Sequence, residues 1–190
     1  MPLVSAASAN CQKAHLVDWS DALLQVIDLR SFSSVWYWIV LAVVWSSVSH
    51  WVLGVPYDLI TRARRRGGQA QQDLEDIVRV NVNRLLNIAQ SAGIVLTGFI
   101  FFTLTVLANL GFYHGIELAE AIFLLAMPLS IVGAVSVSTA RKIATTQPEG
   151  EALYSALFRH RLWTQIIGMI AIFVTALYVM YQNLDVVRGL

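Results

Sequence analysis

The 190-residue chain is 57% apolar and 13% charged, against roughly 45–50% and 25% in ordinary soluble domains. Its net charge of +1 gives no overall draw toward nucleic acid or any other strongly acidic partner. One cysteine, Cys11, excludes an internal disulfide framework and a multi-cysteine metal site.

The first residues, MPLVSAASANCQKAH, lack the basic and apolar regions of a secretory signal. Asn10 before Cys11 does not suit lipoprotein processing, and Pro2 stands where myristoylation needs glycine. Insertion is therefore expected to begin with the chain's first membrane helix. Ahead of it, DWSDALLQVIDLRSF places Leu23, Leu24, Ile27 and Phe32 on one helical face. Residues 1–34 thus read as an external segment with an amphipathic helix, lying on the outer surface or against a partner.

Crossing a hydrocarbon core of roughly 30 Å takes about 20 helical residues. Four runs have that length: 35–55, 91–112, 116–139 and 163–181. The first, second and fourth contain no Asp, Glu, Lys or Arg, and the third carries only Glu117 and Glu120 near its start. Lipid cannot satisfy open backbone groups, and the runs are too long for barrel strands. The expected fold is all-α: a polytopic membrane protein with four transmembrane helices over 35–190 and two cytoplasmic helical extensions. Trp36, Tyr37, Trp38, Trp51, Tyr57, Tyr113 and Trp163 fall near the span ends, as interfacial aromatics do.

Basic residues set the orientation. The first connection holds Arg62, Arg64, Arg65, Arg66, Arg79 and Arg84, and the third holds Arg141, Lys142, Arg159 and Arg161. Against these ten, Lys13, Arg30 and Arg188 are the three elsewhere. The asymmetry places both long connections in the cytoplasm of a bacterial inner membrane and both termini outside.

The cluster Arg62, Arg64, Arg65 and Arg66 reads first as a stop-transfer and topology signal, and second as an attractor of anionic lipid. It lacks the interleaved aromatics of a nucleic-acid site. After Gly67 and Gly68, QAQQDLEDIVRVNVNRLLNIAQ reads as a helix with a Glu75–Arg79 pair, continuing into the second span. The stretch TTQPEGEALYSALFRHRLW repeats the scheme: Pro148, Glu149 and Glu151 come early, Arg159 and Arg161 late. The two extensions are expected to pack as a small stalk, neither large enough for a soluble domain.

No GxSxG, HExxH, CxxC or GxxxxGK motif occurs. Gly133 and Ser136 have only a superficial protease look, with no convincing His or acid partner, so no catalysis is expected. Small residues form a clearer pattern: Ala42, Ser46, His50 and Gly54 in the first span; Ala89, Gly93 and Thr97 in the second. Ala126, Ser130, Ala134 and Ser138 follow in the third, and Gly168, Ala171 and Thr175 in the fourth. Such stripes let helices approach closely in lipid. Packing within the bundle, packing on another protein and lining a pore all remain open.

His50 is the one ionisable group expected well inside a span, roughly 22 Å from its outer end. It reads as a neutral imidazole bonded to a serine or carbonyl, or alternatively as a tetrapyrrole ligand. In that detail the segment resembles bacterial light-harvesting polypeptides, with Ser46 one turn earlier leaving room for a macrocycle. No other cofactor or metal is expected, and His160 is expected in water. In YHGIELAE, His114, Glu117 and Glu120 form a polar interfacial site, spread over about 120° rather than converging on one atom. Pro128 is expected to kink the third span.

The run WYWIVLAVVWSSVSHWVLGVPYDLITRARRRGGQAQ, with the later NRLL and STARK segments, resembles a group of small bacterial membrane proteins labelled "component of SufBCD complex". The label implies iron–sulfur assembly, but Cys11 alone supplies no cluster site, and that function does not carry over. The expectation is a non-catalytic accessory or assembly subunit packing on another membrane protein. A homo-oligomeric channel or small transporter is the first alternative, and a pigment- or haem-associated subunit the second.

Overall fold

The computed structural model describes residues 35–188. The amphipathic segment expected within 1–34, and Cys11, lie outside the described residues. In chain order the elements are α1 (Val35–His50), strands β1 (Trp51–Val52) and β2 (Val55–Pro56), α2 (Tyr57–Arg66) and α3 (Gln69–Ser91). Then come α4 (Gly93–Ala108) with a π-helical turn (Asn109–Tyr113), α5 (Glu117–Thr146) and α6 (Gly150–Arg188). Among the described residues, three stretches are long and apolar enough to cross a membrane: Gly93–Tyr113, Glu117–Thr146 and Gly150–Gln182.

Helix α1 is shorter than the 35–55 run led us to expect. It has 16 residues, about 24 Å, because the chain turns back after His50. Trp51 pairs with Pro56 and Val52 with Val55 in an antiparallel hairpin. Its two turn residues, Leu53 (φ 51) and Gly54 (φ 77), both lie in the left-handed region, the geometry of a tight two-residue turn. Pro56 also disfavours helical backbone at the residue before it. A leucine in that region is strained, and the strain is offset by burial. Val52 and Val55 are almost wholly enclosed, and the Gly54 carbonyl accepts a bond from Asn81 Nδ2 at 3.3 Å.

The expected continuous helix from the first extension into the second span is interrupted at one residue. Ala92 leaves helical geometry (φ −122, ψ 5) between α3 and α4. The neighbours explain the site: the Ser91 hydroxyl binds the Asn87 carbonyl, and Gly93 is a weak helix former. Helix α5 instead runs unbroken through the buried Pro128.

Two cores hold the chain together. The larger one lies beyond the charge-free stretches of the long helices. It joins Val52, Val55 and Ile60 from the hairpin and α2 with Leu74, Val78 and Val82 from α3, Ile143 from α5, and Leu153 and Leu157 from α6. The connections therefore make more than a stalk. Each supplies one apolar stripe, and the stripes close on one another. Glu75 serves this assembly and not the expected pair with Arg79. Its Oε1 accepts the Gly150 backbone N–H at 3.1 Å, satisfying an open donor at the start of α6. Arg79 pairs with Asp76 at 2.6 Å.

The second core lies among the apolar helices: Leu41 and Trp45 of α1 meet Val132 of α5 and Ala171 of α6. Gly168 makes the approach possible, since a Cβ there would lie 2.7 Å from Trp45 Cε3. On α6, one stripe of Leu153, Leu157, His160, Thr164, Gly168, Ala171 and Thr175 is buried throughout. Its 4-3-4-4-3-4 spacing carries the same helix face through both cores. Helix α4 differs from all the others. It packs chiefly on α5, and none of its residues is buried by the chain.

Candidate functional site

At one end of the long helices, the π-helical turn, α5 and α6 close around a carboxylate. Glu120 is buried, and its Oε2 accepts a bond from Gln182 Nε2 at 2.6 Å. The same nitrogen lies 3.2 Å from the Tyr178 hydroxyl. Gly111 of the turn sits directly on this carboxylate's stem, where a Cβ would come 2.7 Å from Glu120 Cγ and 3.0 Å from its backbone nitrogen. Of the trio His114, Glu117 and Glu120, only Glu120 joins the cluster. Glu117 is partly exposed, and His114 is exposed beside the Tyr113 ring. Gln182 and Tyr178 were not anticipated, although their i,i+4 spacing on an otherwise apolar helix is the signal that pairs them.

The crowding at Gly111 gives a measurable expectation. Gly111→Ala has no flexible tip to displace and should cost about 1–3 kcal/mol through overpacking. Gly133, with nothing within 4 Å of an added Cβ, is the control. Thermal unfolding in detergent should separate the two alanine variants; equal midpoints would refute the close approach.

At the other end, His160 is buried, not in water as expected. Its Nε2 is 3.0 Å from Ser136 Oγ, and Ser136 Oγ also donates to the Val132 carbonyl at 2.8 Å. A hydroxyl has one proton, so this assignment makes Nε2 the donor to the serine oxygen. Nδ1 is left buried without a partner among the described residues. Ser136 therefore does have a histidine partner that sequence reasoning missed. In this arrangement its proton goes to a carbonyl, and the contact ties α5 to α6 instead of activating a nucleophile.

The arginine cluster sits farther from the apolar stretches than the sequence suggested. Tyr57, at the start of α2, lies under the Arg161 guanidinium at 3.6 Å. From there α2 runs away along α6, and Arg64 reaches Glu151 at 3.7 Å. Glu151 precedes the boundary residue Trp163 by twelve positions, about 18 Å of helix. Arg62 pairs with Asp58 at 3.7 Å, and Arg65 and Arg66 are exposed.

His50 is the exposed last residue of α1, its ring edge-on to Trp51. Ala42 and Ser46 are exposed on the same helix, while Leu41 and Trp45 make its inward face. Gly54 lies in the hairpin turn. Thr97, Ala134 and Ser138 are exposed, and Gly93, Ala126 and Ser130 half-buried. The stripe that packs inward is Gly168, Ala171 and Thr175. Among the described residues, no group of three or more His, Cys, Asp or Glu side chains could hold a metal ion. The chain matches no protein-family model, no curated protein and no solved structure.

Proposed function

We propose that this chain is a non-catalytic, multi-pass subunit of a bacterial inner membrane that binds another membrane protein through α4 and the outward face of α1. In this reading α1 is a fourth span. Its 24 Å falls a few Å short of the bilayer, a mismatch that costs fractions of a kcal/mol per Å, and Trp36, Trp38 and Trp51 anchor its ends. Both long connections face the cytoplasm and both termini the outside.

The observation that carries the reading is α4, which with its π-helical turn reaches spanning length over Gly93–Tyr113, is attached by one side, and buries none of its own residues. Its Thr97, like Ala42 and Ser46 of α1, presents a small side chain outward, the surface that lets a partner helix come close in lipid. The test is cross-linking in native membranes with Thr97→Cys or Ala42→Cys in a Cys11→Ser background, followed by native mass spectrometry after gentle extraction. Adducts to a different membrane protein at both positions are the expected result. Adducts only between copies would replace this reading with the homo-oligomeric channel, and no adducts at all would remove it.

A further inference from the structure

The groove between the charged ends of α5 and α6 has the chemistry of an amphiphilic anion site. It encloses about 410 Å³, and its lining includes Ser138, Lys142, Thr146, Arg159, His160 and Trp163. No carboxylate lines it, and neither Lys142 nor Arg159 makes an ion pair among the described residues. His160, 4% exposed, forms part of the groove's wall; with Nε2 as the donor to Ser136 its Nδ1 is an acceptor, so the anion's partners are the two cations. The two cations line the groove from different helices, and Arg159 is the one near the level where the apolar stretch of α6 begins. Arg159 is four residues from Trp163, about 6 Å along the axis.

That position separates this groove from the arginine cluster. Attraction to a charged lipid surface fades within a Debye length, roughly 10 Å at 0.1 M salt. Arg64 lies level with Glu151, well beyond that distance along α6, whereas Arg159 stands within it and the Lys142 side chain lines the same groove. The groove also has an apolar end, with Val135 and Trp163 toward the bilayer. A free anion would leave that end empty; a lipid fills both.

We infer that the α5–α6 groove binds one anionic phospholipid of the cytoplasmic leaflet, its phosphate between Lys142 and Arg159 and an acyl chain leaving past Trp163. The inference rests on the reading of these helices as spans with their charged ends inside. The cations hold the phosphodiester oxygens, Arg159 by paired N–H donors and Lys142 as a point charge. Ser138 adds a hydroxyl donor at the rim, while the Thr146 hydroxyl donates to the Lys142 carbonyl.

The test uses the full chain in neutral detergent, titrated with phosphatidylglycerol or phosphatidylcholine and read by native mass spectrometry. Phosphatidylglycerol should be retained in preference to phosphatidylcholine. Lys142→Ala with Arg159→Ala should weaken its retention by about tenfold or more, while Arg65→Ala with Arg66→Ala leaves it unchanged. Lys142→Arg with Arg159→Lys keeps both charges and should restore most of the binding, provided each variant retains its helical circular dichroism. Equal binding of the two lipids, or an equal loss in both alanine pairs, overturns the inference. Displacement by millimolar inorganic phosphate also overturns it, because the groove would then hold a soluble anion. Micelles have no inside, so these results are independent of sidedness. Sidedness is read separately by impermeant maleimide labelling of Ser155→Cys in a Cys11→Ser background, and labelling from outside would remove the topology while leaving the groove standing.

Discussion

Gly168→Leu should separate α1 from α6 and lower the unfolding midpoint in detergent. Even a Cβ at this position meets Trp45 at 2.7 Å, with further indole carbons at 3.1 and 3.2 Å. The obstacle is a rigid ring wedged between α5 and α6, not a flexible tip. Overpacking of this kind costs about 1–3 kcal/mol, occasionally more. Trp45→Ala fails in the opposite sense, leaving a cavity worth about 3–5 kcal/mol. Lipid chains offer no hydrophobic drive between helices, so both losses are losses of fit. The double variant decides the matter: leucine enters the space the indole vacates, and its midpoint should exceed the sum of the two single losses by the equivalent of about 1 kcal/mol or more. Strict additivity would mean the two residues do not share a contact.

The second large effect belongs to the other core. Leu157 is completely buried, among residues drawn from the hairpin, α2, α3 and α5. Leu157→Ala should cost about 2–5 kcal/mol, and the loss should be local. The hairpin, α2 and the amphipathic α3 depend on this core for their burial, while the long apolar helices have lipid and the Trp45 cluster. Hydrogen exchange should therefore accelerate in α3 and leave α5 between Ile122 and Val132 unchanged. Limited proteolysis should cut first at the exposed Gly68 linker. Unchanged exchange in α3 would show that α6 does not hold it.

The apolar stretches within Gly93–Tyr113, α5 and α6 were legible because lipid-length runs without charge have few alternatives. The first run misled by one turn. Trp51, Val52, Leu53 and Val55 are as apolar as any membrane segment, and only Gly54 and Pro56 signalled that the backbone would reverse. His160 was misread because Arg159 and Arg161 flank it. Neighbours on a helix point about 100° away, so two flanking arginines say little about the side chain between them. The spacing from Leu153 through Thr175 says much more, and it places His160 inside. The same arithmetic separates Glu120 from Glu117. Three-dimensional closure supplied what spacing could not: that Gln182, 62 positions later, meets Glu120, and that Glu75 caps α6 while Arg79 turns to Asp76.

The hairpin that ends α1 has a consequence for how the protein is made. Val52 and Val55 are sheltered partly by α6, and Leu157 is synthesised 105 residues after Val52. At about 5–20 residues per second, α1 waits on the order of 5–20 s before the surface that seats its C-terminal end exists. During that interval Leu53 has no burial to offset its strained backbone, and the turn is free to unwind into a longer helix. The finished register of α1 is thus set late, by α6, made long after it.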